Sequence, residues 1–172
     1  MECKRPGSVA YVLEELRGKG NTRAYAEIKY DGERMQIHVS EVGKITIYSK
    51  SGRDSTLDRK YTHDIIKKAL GFGKEEDGKI KVQSCILEGE LLVYDAVQNK
   101  IEPFGGIQGF SFGGVQETDK RYAMIKFFDI LYLNQESLLR VSFCERRRIL
   151  SNVIRIHPSR VSSVTRAKRE LL

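Results

Sequence analysis

The sequence predicts an α+β domain with mainly antiparallel sheets and flanking helices. Three observations predict it. The hydrophobic period alternates between helical and strand-like in the order helix, strands, helix, strands, loop, strand, helix. Turn signals of the Asp31-Gly32 and Asn134-Gln135 kind separate or end the strand runs. Hydrophobic content of 40%, charged content of 31% and only 3 prolines suit a folded, soluble chain rather than a disordered one. At 172 residues the chain is long enough for one domain with a real core and short for two, so residues 1–172 are read as one domain.

Ser8 is placed to cap a helix whose apolar positions Val9, Val12, Leu13 and Leu16 follow helical spacing, with Gly18 as its stop. Ala24 to Tyr30 and Arg34 to Val39 read as strands, the second alternating Met35, Ile37 and Val39 against Arg34, Gln36 and His38. Asp31-Gly32 between them is the turn of a hairpin. Ile45, Ile47 and Tyr48 make a third run, broken at Ser51-Gly52. Leu57 to Leu70 turns helical on the stripe Leu57, Tyr61, Ile65, Ala69 and ends at Gly71 and Gly73. Residues 74–79 are a polar loop, and Ile80 to Asp95 gives two strand-like runs around Glu88-Gly89-Glu90. Phe104 to Gly114 is glycine-rich without a Gly-Lys-Ser/Thr ending, which makes it a flexible connection and not a phosphate-binding loop. Ala123 to Leu133 is an apolar strand. Ser142 and Glu145 have capping-box spacing for a helix from about Phe143 to Ile154. The helix-like Thr165 to Leu172 runs out without a stop signal, which reads as a cut end.

The composition excludes several classes. No apolar run reaches membrane-spanning length and no signal-peptide core opens the chain, so the expected compartment is the nucleus, or the cytoplasm if the source is viral or prokaryotic. Cys3, Cys85 and Cys144 are too few and too scattered for a disulfide framework or a zinc site, and Cys85 and Cys144 read as packing residues. No metal-ligating set is identified; His38, His63 and His157 stand alone. The net charge of +7 is carried by residues 140–172, with 9 Lys and Arg against 2 acids, while residues 1–139 balance at 21 against 21. Such a basic segment is a candidate contact for nucleic acid, although charge runs also form plain solvated helix faces. Arg146, Arg147 and Arg148 span too wide an arc for one helix face, so at least one serves packing or an ion pair.

The stretch with chemical content is Lys29-Tyr30-Asp31-Gly32-Glu33-Arg34. Lys-x-Asp-Gly-x-Arg has four fixed positions, a chance match in roughly one chain in a thousand of this length. A lysine becomes a nucleophile only when desolvation or a neighbouring cation lowers its ordinary pKa, and Arg34 is near in sequence. Arg34 and Lys50 are available as cationic clamps for phosphate, and Glu90 as an acceptor for ribose hydroxyls.

With these parts in view, the chain resembles the nucleotidyltransferase (adenylation) domain of eukaryotic-type ATP-dependent DNA ligases. The resemblance covers roughly the first two thirds of that domain, with a weak lean to ligase IV. It implies an ATP-grasp-like nucleotidyltransferase fold in which Lys29 attacks the α-phosphate of ATP and carries AMP. Glu27 falls where the family reads the adenine amino group, Ile28 between the two lines the nucleotide, and Arg34 lies near ribose and phosphate. Ile86-Leu87-Glu88-Gly89-Glu90 is similar to the family's Leu-Asp-Gly-Glu motif, with Glu90 on the ribose and Glu88 in place of Asp. Phe127-Phe128-Asp129-Ile130-Leu131 resembles the motif whose aromatic stacks on adenine, here Phe128. Tyr48-Ser49-Lys50-Ser51-Gly52 resembles Ser-Arg-Asn-Gly, with Lys50 in place of the planar arginine fork unless Arg53 substitutes. ATP and a divalent metal, Mg, are the implied cofactors, and nicked double-stranded DNA is the implied partner in repair, replication or recombination. The family's later lysine motifs and oligonucleotide-binding domain are not among these residues, so the stretch read by itself is expected to adenylate weakly and not to seal nicks. RNA ligases and the guanylyltransferases of messenger-RNA capping share the first motif, and a non-catalytic DNA-binding module on the same scaffold is the reading from another class.

Overall fold

In the computed structural model, residues 7–20, 23–71, 80–103, 120–156, 161–163 and 168–171 are described. The glycine-rich Phe104 to Gly114, the loop 74–79, Cys3 and His157 lie outside them. The chain divides into two units, Met1–Lys29 with Val164–Leu172, and Tyr30–Ser163.

The first unit holds α1, Val9–Gly18, capped as expected by Ser8, whose hydroxyl accepts the Tyr11 N–H at 3.2 Å. It also holds β1, Arg23–Ala26, paired antiparallel with β9, Lys168–Leu171, from Arg23 opposite Leu171 to Ala26 opposite Lys168. Two expectations change here. The end of the chain is a strand and not a helix, because a distant partner satisfies its backbone. Strand β1 ends at Ala26 and pairs with β9, so it is not one arm of a hairpin closed by Asp31-Gly32. Residues 27–32 form no regular element.

The second unit is built on a seven-stranded sheet. Its strands are β2 (Glu33–Val39), β3 (Ile45–Tyr48), β4 (Cys85–Asp95), β5 (Lys100–Ile101), β6 (Arg121–Leu133), β7 (Glu136–Ser137) and β8 (Val161–Ser163). The order is β3-β2-β4-β6-β7, with β5 beside β4 and β8 beside β6. All pairs are antiparallel except β6 with β8. One face carries Met35, Ile37, Ile45, Ile47, Leu87, Leu91, Ile125 and Phe127 into the core. Helices α2 (His63–Leu70) and α3 (Phe143–Val153) supply Ile65, Ile66, Leu70, Leu150 and Val153 to that same core. The fold is the α+β, mainly antiparallel arrangement that the sequence predicts.

Several boundaries move for identifiable reasons. The helix expected from Leu57 begins only with a 3₁₀ turn at Lys60–Thr62, and Leu57 is 85% exposed. The preceding residues bond to the β3 edge instead, Ser55 N–H to Ile47 O at 2.8 Å and Ile47 N–H to Thr56 Oγ1 at 2.9 Å. Strand β4 is continuous through Gly89, because a Cβ there would meet Ile125 Cγ2 at 3.1 Å and Phe127 Cδ1 at 3.6 Å. Gly89 is the space into which those core side chains fit. Helix α2 ends at Gly71 in the left-handed region, with Arg155 Nη1 donating to Leu70 O at 2.6 Å. Cys85 is a packing residue, its thiol pushed up to about 12 by burial, but Cys144 is exposed. Among the described residues no helix is long and apolar enough to cross a membrane.

The turn after β6 is the two-residue connection expected at Asn134-Gln135, with φ of 45° and 73°. Asn tolerates this conformation and uses its amide here: Oδ1 accepts from Gln83 and Ser84 N–H, and Nδ2 donates to Lys81 O. Gln135 gains only an exposed 3.1 Å bond to Glu41. Gln135→Gly is therefore expected to stabilise the protein by about 0.5–1 kcal/mol, read as a raised denaturation midpoint at unchanged slope.

Candidate active site

Opposite the core, the sheet presents a polar face made from the alternate residues of the same strands. On β2 these are Arg34, Gln36 and His38; on β4, Glu88 and Glu90; on β6, Lys126. Register puts Arg34 directly opposite Glu90, Gln36 opposite Glu88, and Glu90 opposite Lys126. Residues separated by up to 92 positions in the chain are thus neighbours across three adjacent strands.

Glu88 is the hub. Its carboxylate, 4% exposed, accepts a bidentate fork from Arg34 Nε and Nη2 at 2.8 and 2.7 Å and a third bond from Gln36 Nε2 at 2.8 Å. Gln36 Oε1 lies 2.9 Å from His38 Nε2, and the His38 ring meets Tyr48 edge-on at 5.1 Å. The bond to Glu88 raises the Arg34 guanidinium further above its ordinary value. Burial lowers the His38 imidazole from its ordinary value, against the opposing pull of the Glu88 carboxylate. Two nitrogens of Arg34, Nε and Nη2, are engaged by Glu88. A groove of 320 Å³ is lined by Arg34, Gln36, Tyr48, Ser49, Lys50 and Gly52, so Arg34 and Lys50 border one concavity. Arg53 is turned away to Asp58 at 2.8 Å.

Phe127 is fully buried in the core, and Phe128 is the extra residue of a bulge where register passes from Gly89–Phe127 to Glu88–Asp129. Phe128 is partly buried. Glu27, Ile28 and Lys29 are exposed residues of the first unit, and Tyr30 is the first residue of the second. Gly32 is small for a reason other than a hairpin: a Cβ there would stand 2.4 Å from Leu91 O and 2.8 Å from Glu90 Cγ. The loop of the Asp-Gly pair is pressed onto β4.

Four participants had no functional reading in the sequence. Gln36 and His38 looked like the solvent side of an amphipathic strand. Arg59, 5% exposed, reaches back to Glu33 Oε2 at 2.7 Å and Arg34 O at 3.3 Å, pinning the start of β2. Lys126 is 8% exposed, and its Nζ donates to Tyr30 Oη at 2.7 Å. The available signal for Lys126 was a lone lysine inside the apolar run Ala123 to Leu133, since lysine is seldom buried without a partner. Of the three arginines in α3, Arg146 forks onto Asp129 at 2.8 Å twice, Arg148 pairs with Glu145 and Arg147 lies over the Phe143 ring. All three have partners within the second unit.

The family model of the ATP dependent DNA ligase domain matches residues 1–170. The chain belongs to this family. It is similar to the DNA ligase 4 of Yarrowia lipolytica, 35% identical over 132 residues that cover 75% of this chain and 14% of that protein. It is 31% identical to the DNA ligase 1 of Saccharomyces cerevisiae over 166 residues, 96% of this chain and 20% of that protein. The chain therefore spans about a fifth or less of the length of these ligases. A solved structure of mycobacterial DNA ligase D complexed with ATP and MES shares the fold, with a TM-score of 0.57 at 22% identity, over 84% of this chain and 41% of that one.

Glu88, where the resemblance has aspartate, serves Arg34 and Gln36 with one carboxylate. Glu88→Ala strands a guanidinium and an amide on the sheet. It is expected to destabilise the protein by about 1–3 kcal/mol, with Glu88→Gln intermediate, measured by urea unfolding.

Proposed function

We propose that the chain forms the nucleoside-binding, nucleophile-bearing part of the adenylation domain of an ATP-dependent DNA ligase. In this reading residues 1–172 are the N-terminal part of one such domain. The observation that carries the proposal is the convergence of motifs: Arg34, Glu90 and Phe128 come from three separate sequence motifs and fall on the neighbouring strands β2, β4 and β6 of one sheet.

Lys29, one peptide bond before Tyr30, is the assigned nucleophile. Its neutral amine forms a bond to the α-phosphorus of ATP as the bond to the β-phosphate oxygen breaks and pyrophosphate leaves. AMP then passes from Lys29 to a 5′-phosphate at a nick in double-stranded DNA, and the 3′-hydroxyl displaces it to close the strand. Phe128, partly exposed on β6, is assigned the stacking of adenine, and the motif positions of Glu27 and Ile28 assign them to reading the base. Glu90 accepts from the ribose hydroxyls. Lys50 and Arg34 border the groove in which phosphates would lie, a fit in charge but a weaker clamp than two free guanidinium forks. Mg is the implied ion. Among the described residues no cluster of three or more His, Cys, Asp or Glu side chains could hold a metal; when bound, the ion would supply charge neutralisation at the phosphates.

The basic excess of residues 140–172 supports contact with DNA, although the α3 arginines are already engaged within the fold. Similarity to eukaryotic ligases favours a nuclear protein acting in DNA repair, replication or recombination.

The test uses the full-length protein with labelled ATP and, separately, labelled GTP. ATP is expected to give an acid-labile, alkali-resistant protein adduct that Lys29→Ala abolishes together with nick sealing. An adduct from GTP, or undiminished sealing by the Lys29→Ala variant, would overturn the proposal.

A further inference from the structure

Lys126 is a buried cation that the proposed chemistry does not use, in the middle of β6 between Ile125 and Phe127, both fully buried. Its Nζ donates to Tyr30 Oη at 2.7 Å and stands 4.3 Å from the centroid of the same ring. Its cross-strand neighbour in the register is Glu90, which Arg34 faces from β2 on the other side. Holding an ammonium 8% exposed is costly in stability, and a well-packed apolar side chain of similar volume usually does as well or better.

What it holds is Tyr30. The Tyr30 Cα is about 3.8 Å from that of Lys29 across one peptide bond, so an anchored phenol restricts the backbone of the residue before it. Two residues later Gly32 is pressed against Leu91 O and Glu90 Cγ. The loop that follows Lys29 is thereby held twice, by a hydrogen bond to β6 at Tyr30 and by close contact with β4 at Gly32.

We infer that Lys126 is a positioning residue for the nucleophile: through Tyr30 it fixes the backbone from which Lys29 projects. The inference rests on the reading of Lys29 as the adenylated residue. Positioning of this kind contributes to the rate of attack and little to nucleotide affinity, because misplacing a reacting group by about 1 Å is enough to lose on the order of 100-fold in rate.

The experiment is single-turnover adenylation of the full-length protein with labelled ATP, together with thermal unfolding, for Lys126→Met, Lys126→Arg, Tyr30→Phe and the Lys126→Met/Tyr30→Phe pair. Expected for Lys126→Met is a rate at saturating ATP lower on the order of 10- to 100-fold, with the half-saturating ATP concentration nearly unchanged and the unfolding midpoint equal or higher. Tyr30→Phe, which removes one hydroxyl and leaves packing intact, should lose rate in the same way. Lys126→Arg should recover most of it, and the pair should be no slower than the worse single variant. A Lys126→Met protein that adenylates at full speed, losses that multiply in the pair, or a change confined to ATP half-saturation would each overturn the inference. Lys29→Ala run in parallel separates the two levels. If its adduct is lost while Lys126→Met is at full speed, only the positioning role fails; if its adduct persists, the nucleophile assignment fails and takes the positioning role with it.

Discussion

Strand β4 is hydrogen-bonded to β2 on one side and to β6 on the other, and the second unit depends on that double pairing. Because side chains alternate along it, β4 sends Leu87 and Leu91 into the core and Glu88 and Glu90 to the opposite face. Gly89 between the two acids is where Ile125 of β6 approaches closely, 3.1 Å from where a Cβ would stand. The Glu-Gly-Glu sequence is thus a packing solution on one face and an electrostatic one on the other. A one-residue slip of β2 on β4 would drive Arg34 and Gln36 into the core, so the apolar alternation itself enforces the polar register.

On the polar face, Glu88 converts three strand positions into one rigid group. Its carboxylate is nearly buried and has three donors from two side chains, which is the condition under which a buried charge is tolerated. Arg59 binds the start of β2 from the core side, at Glu33 and the Arg34 carbonyl. Arg34 is therefore fixed at its backbone and at its guanidinium. For a family whose proposed chemistry develops charge on phosphate, preorganised cations are what the site must offer, since reorientation during reaction would be lost stabilisation.

The bulge in β6 solves a different problem. An unbroken strand would place Phe127 and Phe128 on opposite faces and Asp129 back in the core. With Phe128 unpaired, Phe127 and Ile130 both reach the core, and Asp129 swings to α3, where Arg146 takes both its oxygens. The arginine that helped give the C-terminal segment its basic character is in this way a strut between helix and sheet. Charge counted along a sequence overstates what is available to a partner whenever such pairs form across elements.

Local chemistry in the sequence was sufficient for the elements whose signals are local: the Ser8 and Ser142 caps, the alternating β2, the apolar β6 and the Asn134-Gln135 turn. The motif order was likewise enough to identify the ligase resemblance and to nominate Lys29, Glu90 and Phe128. Pairing partners were not legible, because hydrogen-bond competition between distant segments has no local trace. That is why Thr165 to Leu172 reads as a helix yet forms strand β9 at Lys168–Leu171, and why Ser55 and Thr56, just before Leu57, bond to β3 while α2 starts later. Side-chain partnership belongs to the same level. By itself the sequence determined which chemical groups are present and which face the residues of an evenly alternating strand such as β2 take, since alternation and capping act over a few residues. Only the tertiary structure decided that Glu88 binds Arg34 and Gln36, that Gly32 is small to lie against β4, and that Lys126 holds Tyr30, because those contacts join strands far apart in the chain.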